Sequence, residues 1–248
     1  MTDNAKQGFS ELLRGGIDSL CENDDEIGKI MARGKDEIIS LLQKFINEIE
    51  FFNPALKLVG TNDTKEIIIK HILDSIAPAG ILSRLLSARK TPLGSASSDV
   101  VCKNKQIADI GSGAGLPGIP LAVMLPGNKF TLVERMGRRA GFLLNAIVVM
   151  SLSDITVEEK EADKIISKNG FDLITFRAFS PLEPKLLKTL LRIRAPDGVI
   201  AAYKGKREKT EAEMAQLIYL SGGGKIEYDI IPYSVPFLNE ERCLLVIK

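Results

Sequence analysis

The densest run of residues suited to binding chemistry is Asp109-Ile-Gly111-Ser-Gly113-Ala-Gly115-Leu116-Pro-Gly118. It stands between an apolar run that reads as a strand and an apolar stretch that reads as a helix. Glycines in that place let the backbone turn sharply and approach a ligand, and the free N–H groups of a helix start favour polar or anionic groups. Glu134 ends the next predicted strand, 25 residues after Asp109. Adjacent parallel strands bring both ends to one sheet edge, where a carboxylate accepts the two hydroxyl hydrogens of a ribose. A nucleoside-containing cofactor is the expected occupant.

Two cofactors compete for the pattern. Gly113-x-Gly115-x-x-Gly118, with Glu134 19 residues beyond Gly115, also meets the dinucleotide fingerprint of a NAD-dependent oxidoreductase. The extra Asp109-x-Gly111, a hairpin-like ending and the lack of a second catalytic domain favour S-adenosylmethionine. A turn serving strand-to-helix geometry alone does not need three glycines in five residues.

Other side chains with chemical potential are scattered. Arg177 directly follows an apolar strand, at the edge where open α/β sheets bind ligands, so a binding role is preferred to a surface ion pair. Its guanidinium suits a carboxylate, a guanine O6 or a phosphate equally. Asp163 reads either as a site residue or as the N-cap of a helix over 164–168. Arg135, Arg138 and Arg139 follow the second strand, and Lys204, Lys206, Arg207 and Lys209 follow the fifth. Together they form two basic clusters at one sheet edge, with Arg138, Arg139 and Lys204 the candidates for contact with RNA phosphates. His71 is the single histidine; with Asp74 three residues on, a structural hydrogen bond is preferred to catalysis. Cys21, Cys102 and Cys243 are odd in number and far apart, which excludes a disulfide framework and a zinc cluster.

The elements that must position these residues follow from periodicity. Apolar residues from Ile38 to Phe52 recur at spacings of three and four, predicting a helix over 34–53 that Pro54 terminates. Asp63-Thr-Lys-Glu66 has the form of a capping box opening a second helix toward Pro78. Residues 1–86 therefore read as a helical region and 87–105, polar and without period, as a connection. Residues 106–248 read as an α/β domain with parallel strands at 106–110, 129–134, 155–159, 171–176 and 199–203, helices between them, and closing strands at 225–231 and 242–248, the last antiparallel. With 33 Lys+Arg against 32 Asp+Glu, net charge points to no polyanionic partner. The N-terminus lacks the form of a signal peptide and no apolar run reaches about 18 residues, so a soluble, cytoplasmic protein without membrane contact is expected.

The run from Asp109 to Leu121 closely resembles the signature of the bacterial 16S rRNA guanine-N7 methyltransferases, the glucose-inhibited division protein B family. His71-Ile-Leu-Asp-Ser75, Arg138-Arg139-x-x-Phe142-Leu143, Phe171-Asp172 to Arg177-Ala178, and Lys204-Gly205 resemble further blocks of that family, in its order, from about Asn53 to Gly205. The resemblance implies a class I S-adenosylmethionine-dependent methyltransferase fold with a seven-stranded sheet and added N-terminal helices. It implies methyl transfer to a guanine N7 in the 530 loop of small-subunit rRNA, as free RNA or in the assembling subunit, by a monomer. It further implies that Gly111 and Leu116 line the cofactor, that Ala162 and Asp163 border its adenine, and that Arg177 closes the site. Glu161 stands where the family usually has arginine. Guanine N7 carries an in-plane lone pair, so no general base is expected and Arg177 is at most a positioning group. An RNA-binding protein that keeps the fold without turnover is the remaining alternative.

Overall fold

The computed structural model describes residues 3–88, 103–177 and 181–248. Four helices come first: α1 (Asp3–Asn23), α2 (Asp25–Met31), α3 (Lys35–Leu56) and α4 (64–76), followed by α5 (Ala79–Ser87). Then strands and helices alternate: β1 (Gln106–Ile110), α6 (Gly118–Met124), β2 (Lys129–Val133), α7 (Gly137–Met150), β3 (Ile155–Glu158), β4 (Phe171–Phe176), α8 (Pro184–Ile193), β5 (Arg194–Lys204), α9 (Arg207–Leu220), β6 (Tyr228–Tyr233) and β7 (Arg242–Ile247). The seven strands form one sheet in the order β3-β2-β1-β4-β5-β7-β6. β1 to β5 pair in parallel, while β7 runs antiparallel to both β5 and β6.

Alternation along the strands divides the core in two. Ile107, Leu132, Leu173, Ala201, Leu244 and Val246 join one apolar cluster with α1 to α7, including Leu13, Ile17, Leu42 and Phe45. Ala108, Val133, Ile174, Ala202, Leu245 and Ile247 join the other, with residues of α8 and α9. Both faces are thereby covered, as a largely parallel sheet requires. The rings of Phe45 and Phe52 on α3 meet Phe142 on α7 at 6.5 and 5.7 Å.

Four local expectations are corrected. Pro54 does not end α3: the helix continues to Leu56 and stops at Lys57, which is left-handed (φ 49°) with its N–H on Asn53 O. The capping box at α4 forms by half. Asp63 accepts the Lys65 N–H, but Glu66 turns forward to Lys70, and the Asp63 N–H goes to Thr61 Oγ1. No helix forms over 164–168. A single 3₁₀ turn, Ala162–Lys164, stands there, because Arg192 on α8 donates to the carbonyls of Asp163 and Ile165 and Ile165 inserts into the core. Strand β5 also begins five residues earlier than its apolar run, at Arg194.

Candidate functional site

At the carboxyl end of β1 the chain passes through Gly111, Gly113 and Gly115, all with positive φ (71°, 56° and 79°). The three differ in what surrounds them. A Cβ on Gly111 would meet no atom within 4 Å, and one on Gly113 would lie 3.8 Å from an Arg139 nitrogen, so both leave open space. A Cβ on Gly115 would lie 2.7 Å from Ile119 and 3.0 Å from Leu143. Gly115 therefore lets the turn pack on α6 and α7 and does not line the cleft.

Two carboxylates hold the turn. Asp109, at the heart of the sheet, accepts the Gly118 N–H at 3.1 Å and the Thr175 hydroxyl at 3.3 Å, tying the start of α6 to β1 and β4. Burial pushes its carboxyl up to about 6, against the lowering effect of these bonds. A folded-state value above the ordinary 3.8 means the native state holds the proton more tightly, so this group's stabilising contribution is present below about pH 4 and lost as pH rises through about 6. Asp109→Asn should remove that loss: its unfolding free energy relative to wild type should rise by about 3 kcal/mol between about pH 4 and 7. Urea titrations at several pH values check this; a difference that does not vary with pH would contradict it.

Glu134, 4% exposed, lies under the turn. Its oxygens accept the N–H of Gly113 at 2.9 Å and of Met136 at 2.8 Å. One strand-end carboxylate thus joins the glycine turn to the start of α7, with lone pairs left on both oxygens.

Above the turn lies a cleft of about 740 Å³, lined among others by Gly111, Gly113, Leu116, Arg139 and Arg177. Its opposite wall is the loop after α3, which sequence reasoning did not single out. Asn53, 4% exposed, organises that loop: it receives the Val59 N–H at 2.8 Å and donates to Thr61 O at 2.8 Å and Asn62 Oδ1 at 2.7 Å. An Asn-Pro pair at a helix end was the available signal. Arg139 reaches across from α7 to Lys57 O at 3.5 Å, and its buried Nε has no partner among the described residues.

His71, Arg177 and Asp74 meet at the end of the cleft. In α4 the segment Ile67–Leu73 is a wide π turn, with the Asp74 N–H reaching Ile69 O, and its His71 and Asp74 both contact Arg177. Arg177 lies 3.3 Å from His71 Nδ1 and 3.7 Å from Asp74 Oδ2. A guanidinium only donates, so Nδ1 accepts and the ring proton sits on Nε2. Burial, reinforced by Arg177, pushes the His71 imidazole down to about 4 and keeps it neutral at physiological pH. A second pocket of about 270 Å³ continues from here, lined by His71, Asp74, Arg177, Tyr203, Tyr233 and Arg242 among others.

The remaining candidates separate. Lys204 is not a free surface cation: its side chain is 7% exposed and its Nζ lies 2.6 Å from Glu213 Oε1. Arg138 is exposed, whereas Arg139 enters the cleft. Ala162 and Asp163 sit on the 3₁₀ turn and do not line the cleft, and Glu161 pairs with Lys164 at 3.4 Å. Cys243 is buried and Cys21 half-buried; Cys102, Ala178 and most of the 87–105 connection lie outside the described residues. Among the described residues no helix is long and apolar enough to cross a membrane.

The seven-stranded sheet with its antiparallel β7 is a class I methyltransferase fold, which solved structures share. A SAM-dependent methyltransferase from Aquifex aeolicus superposes with a TM-score of 0.51 at 16% identity, covering 71% of this chain and 91% of that one. A putative S-adenosyl-L-methionine-dependent methyltransferase from Methanococcus maripaludis gives 0.51 at 17% identity, covering 82% and 91%. Sequence relatives are nearer. The chain is 35% identical to "Ribosomal RNA small subunit methyltransferase G" of Treponema denticola over 99% of both chains, and 36% identical to that of Treponema pallidum over 87% of both. The family model for rRNA small subunit methyltransferase G matches residues 38–228, from α3 through the glycine turn to the start of β6. With this fold and these relatives, the chain belongs to the rRNA small subunit methyltransferase G family.

Proposed function

We propose that this protein transfers a methyl group from S-adenosylmethionine to N7 of a guanine in the 530 loop of 16S rRNA, as a cytoplasmic monomer acting on the RNA or the assembling small subunit. The observation that carries the reading is that His71 and Arg177 line both cavities, the cleft at the glycine turn and the pocket beyond it. A donor in the first and a base in the second would face each other across these two side chains. Family membership supports a methyltransferase over a nicotinamide oxidoreductase.

The residues present fit the cofactor. The cleft has the size of a small-molecule site, Gly111 and Gly113 leave open the space that a Cβ would occupy, and the Arg139 side chain lines it. When bound, S-adenosylmethionine supplies an electrophilic methyl on sulfonium. Glu134 offers its free lone pairs to ribose hydroxyls, Leu116 supplies apolar wall, and Arg177 fixes the border between the two cavities. Ala162 and Asp163, on the 3₁₀ turn outside the cleft lining, border the adenine by family resemblance alone, and the exposed Arg138 is a phosphate contact. His71, neutral, holds Arg177 through Nδ1 and takes no proton from the substrate, since N7 attacks with a lone pair that is already free.

The single-turnover rate should therefore be nearly flat from about pH 7 to 8.5, because no base has to be deprotonated in that range. Product RNA should break at one guanosine after borohydride and aniline treatment, since N7 methylation weakens the ring. A rate climbing tenfold per pH unit, or methylated RNA that resists cleavage, would overturn the assignment to N7.

A further inference from the structure

The pocket beyond Arg177 has a polarity that the reaction at N7 does not itself require. At one side is a nearly buried carboxylate, Asp74, with a side chain 6% exposed. Its two oxygens are used unequally. Oδ1 receives the Tyr233 hydroxyl at 3.1 Å and pairs with Arg242 Nε at 3.3 Å as an ion pair. Among the described residues, Oδ2 faces Arg177 alone, at 3.7 Å, which is too far for a hydrogen bond. Beside it are the rings of Tyr203 and Tyr233, edge to face at 6.2 Å, both lining the pocket. Tyr203 is itself anchored through its hydroxyl to Ser75 O at 2.8 Å.

We propose that Asp74 is the residue that selects guanine, its Oδ2 accepting from the N1–H and N2 amino group of the target base while Arg177 donates to O6. The inference rests on the function proposed above. An acceptor and a donor side by side match the Watson–Crick edge of guanine, which offers two donors and one acceptor in that order. Adenine would set its N1 lone pair against the carboxylate and an amino group against the guanidinium, two repulsive contacts in a desolvated pocket. With O6 at Arg177, the neighbouring N7 lies toward the cleft, on the side of the glycine turn. Tyr233 and Arg242 are then positioning residues: they occupy Oδ1 and lock the carboxylate so that Oδ2 is the oxygen presented. The aromatic wall gives the base plane a surface to rest on.

The test compares small-subunit rRNA carrying guanosine or inosine at the target position, in single-turnover methylation by wild type and by Asp74→Asn. Inosine keeps N7, O6 and N1–H and lacks only the N2 amino group. Wild type should prefer guanosine by about 10–100-fold in kcat/KM, the value of one well-formed readout pair. In Asp74→Asn, where an amide nitrogen can take the place of Oδ2, guanosine should lose most of that advantage and the preference should fall to about threefold or less. Any difference in the intrinsic reactivity of the two N7 atoms is common to both proteins and cancels in the ratio. Equal rates on the two RNAs with wild type would overturn the proposal even if the variant failed to fold, and so would an undiminished preference in a folded variant. Absence of N7 methylation on guanosine RNA would instead overturn the function on which it rests.

Discussion

Lys204→Ala should lower the unfolding free energy by about 3–5 kcal/mol, the cost of leaving one member of a buried ion pair unpaired. Lys204 and Glu213 are 7% and 14% exposed in their side chains, 2.6 Å apart, and the same Glu213 oxygen also accepts the Leu182 N–H at 2.6 Å. The pair thus clips the end of β5 to α9 and to the segment that precedes α8. Removing the ammonium strands the carboxylate where water reaches it poorly. A double change, Lys204→Met with Glu213→Gln, should recover much of the loss, since both charges then vanish together. Urea unfolding of the three variants checks this. A Lys204→Ala protein of wild-type stability, with a salt dependence of RNA binding reduced by about one ion, would restore Lys204 to the phosphate contact that its place after the fifth strand suggested.

Glu134→Gln is expected to weaken S-adenosylmethionine binding by about 30–150-fold while the protein stays folded. Glu134 accepts two backbone N–H groups, from Gly113 and Met136. An amide keeps one acceptor and sets an N–H₂ group against the other N–H, so the turn loses a clamp and the ribose loses an acceptor. At about 1–3 kcal/mol for each unsatisfied buried partner, a net loss of about 2–3 kcal/mol in cofactor binding follows. Calorimetry on the variant, with its unfolding curve as control, measures it. Wild-type affinity in the folded variant would remove the ribose assignment and leave Glu134 as a clamp of the glycine turn only.

These two residues mark the line between local and distant information. Glu134 was legible because everything it depends on is local to two adjacent strands: apolar runs of strand length, a glycine turn after the first and an acid at the end of the second. The parallel sheet, its antiparallel β7 and the positive-φ glycines follow from the same short-range signals, as strand period and glycine backbone freedom act within a few residues. The split among the glycines did not follow. Gly111 and Gly115 look alike in sequence, yet the first borders open space and the second touches Ile119 and Leu143, because α6 and α7 close on only one side of the turn.

What the amino-acid sequence determined by itself was the alternating α/β order, the glycine turn with its acidic partner, and the family resemblance that runs from about Asn53 to Gly205. Only the tertiary structure decided which charges are spoken for. A lysine after a strand reads as solvated until α9 brings Glu213 to it, nine residues on and one helix face away. His71 and Asp74 are separated from Arg177 by about a hundred residues, and Asp74 from Tyr233 and Arg242 by far more. No periodicity or cap links such positions, since their approach is set by the packing of α4 against the carboxyl ends of β4 and β5. Charge and hydrogen bonding act over a few ångströms of space regardless of distance along the chain, so the polarity of the second pocket exists only in the folded molecule.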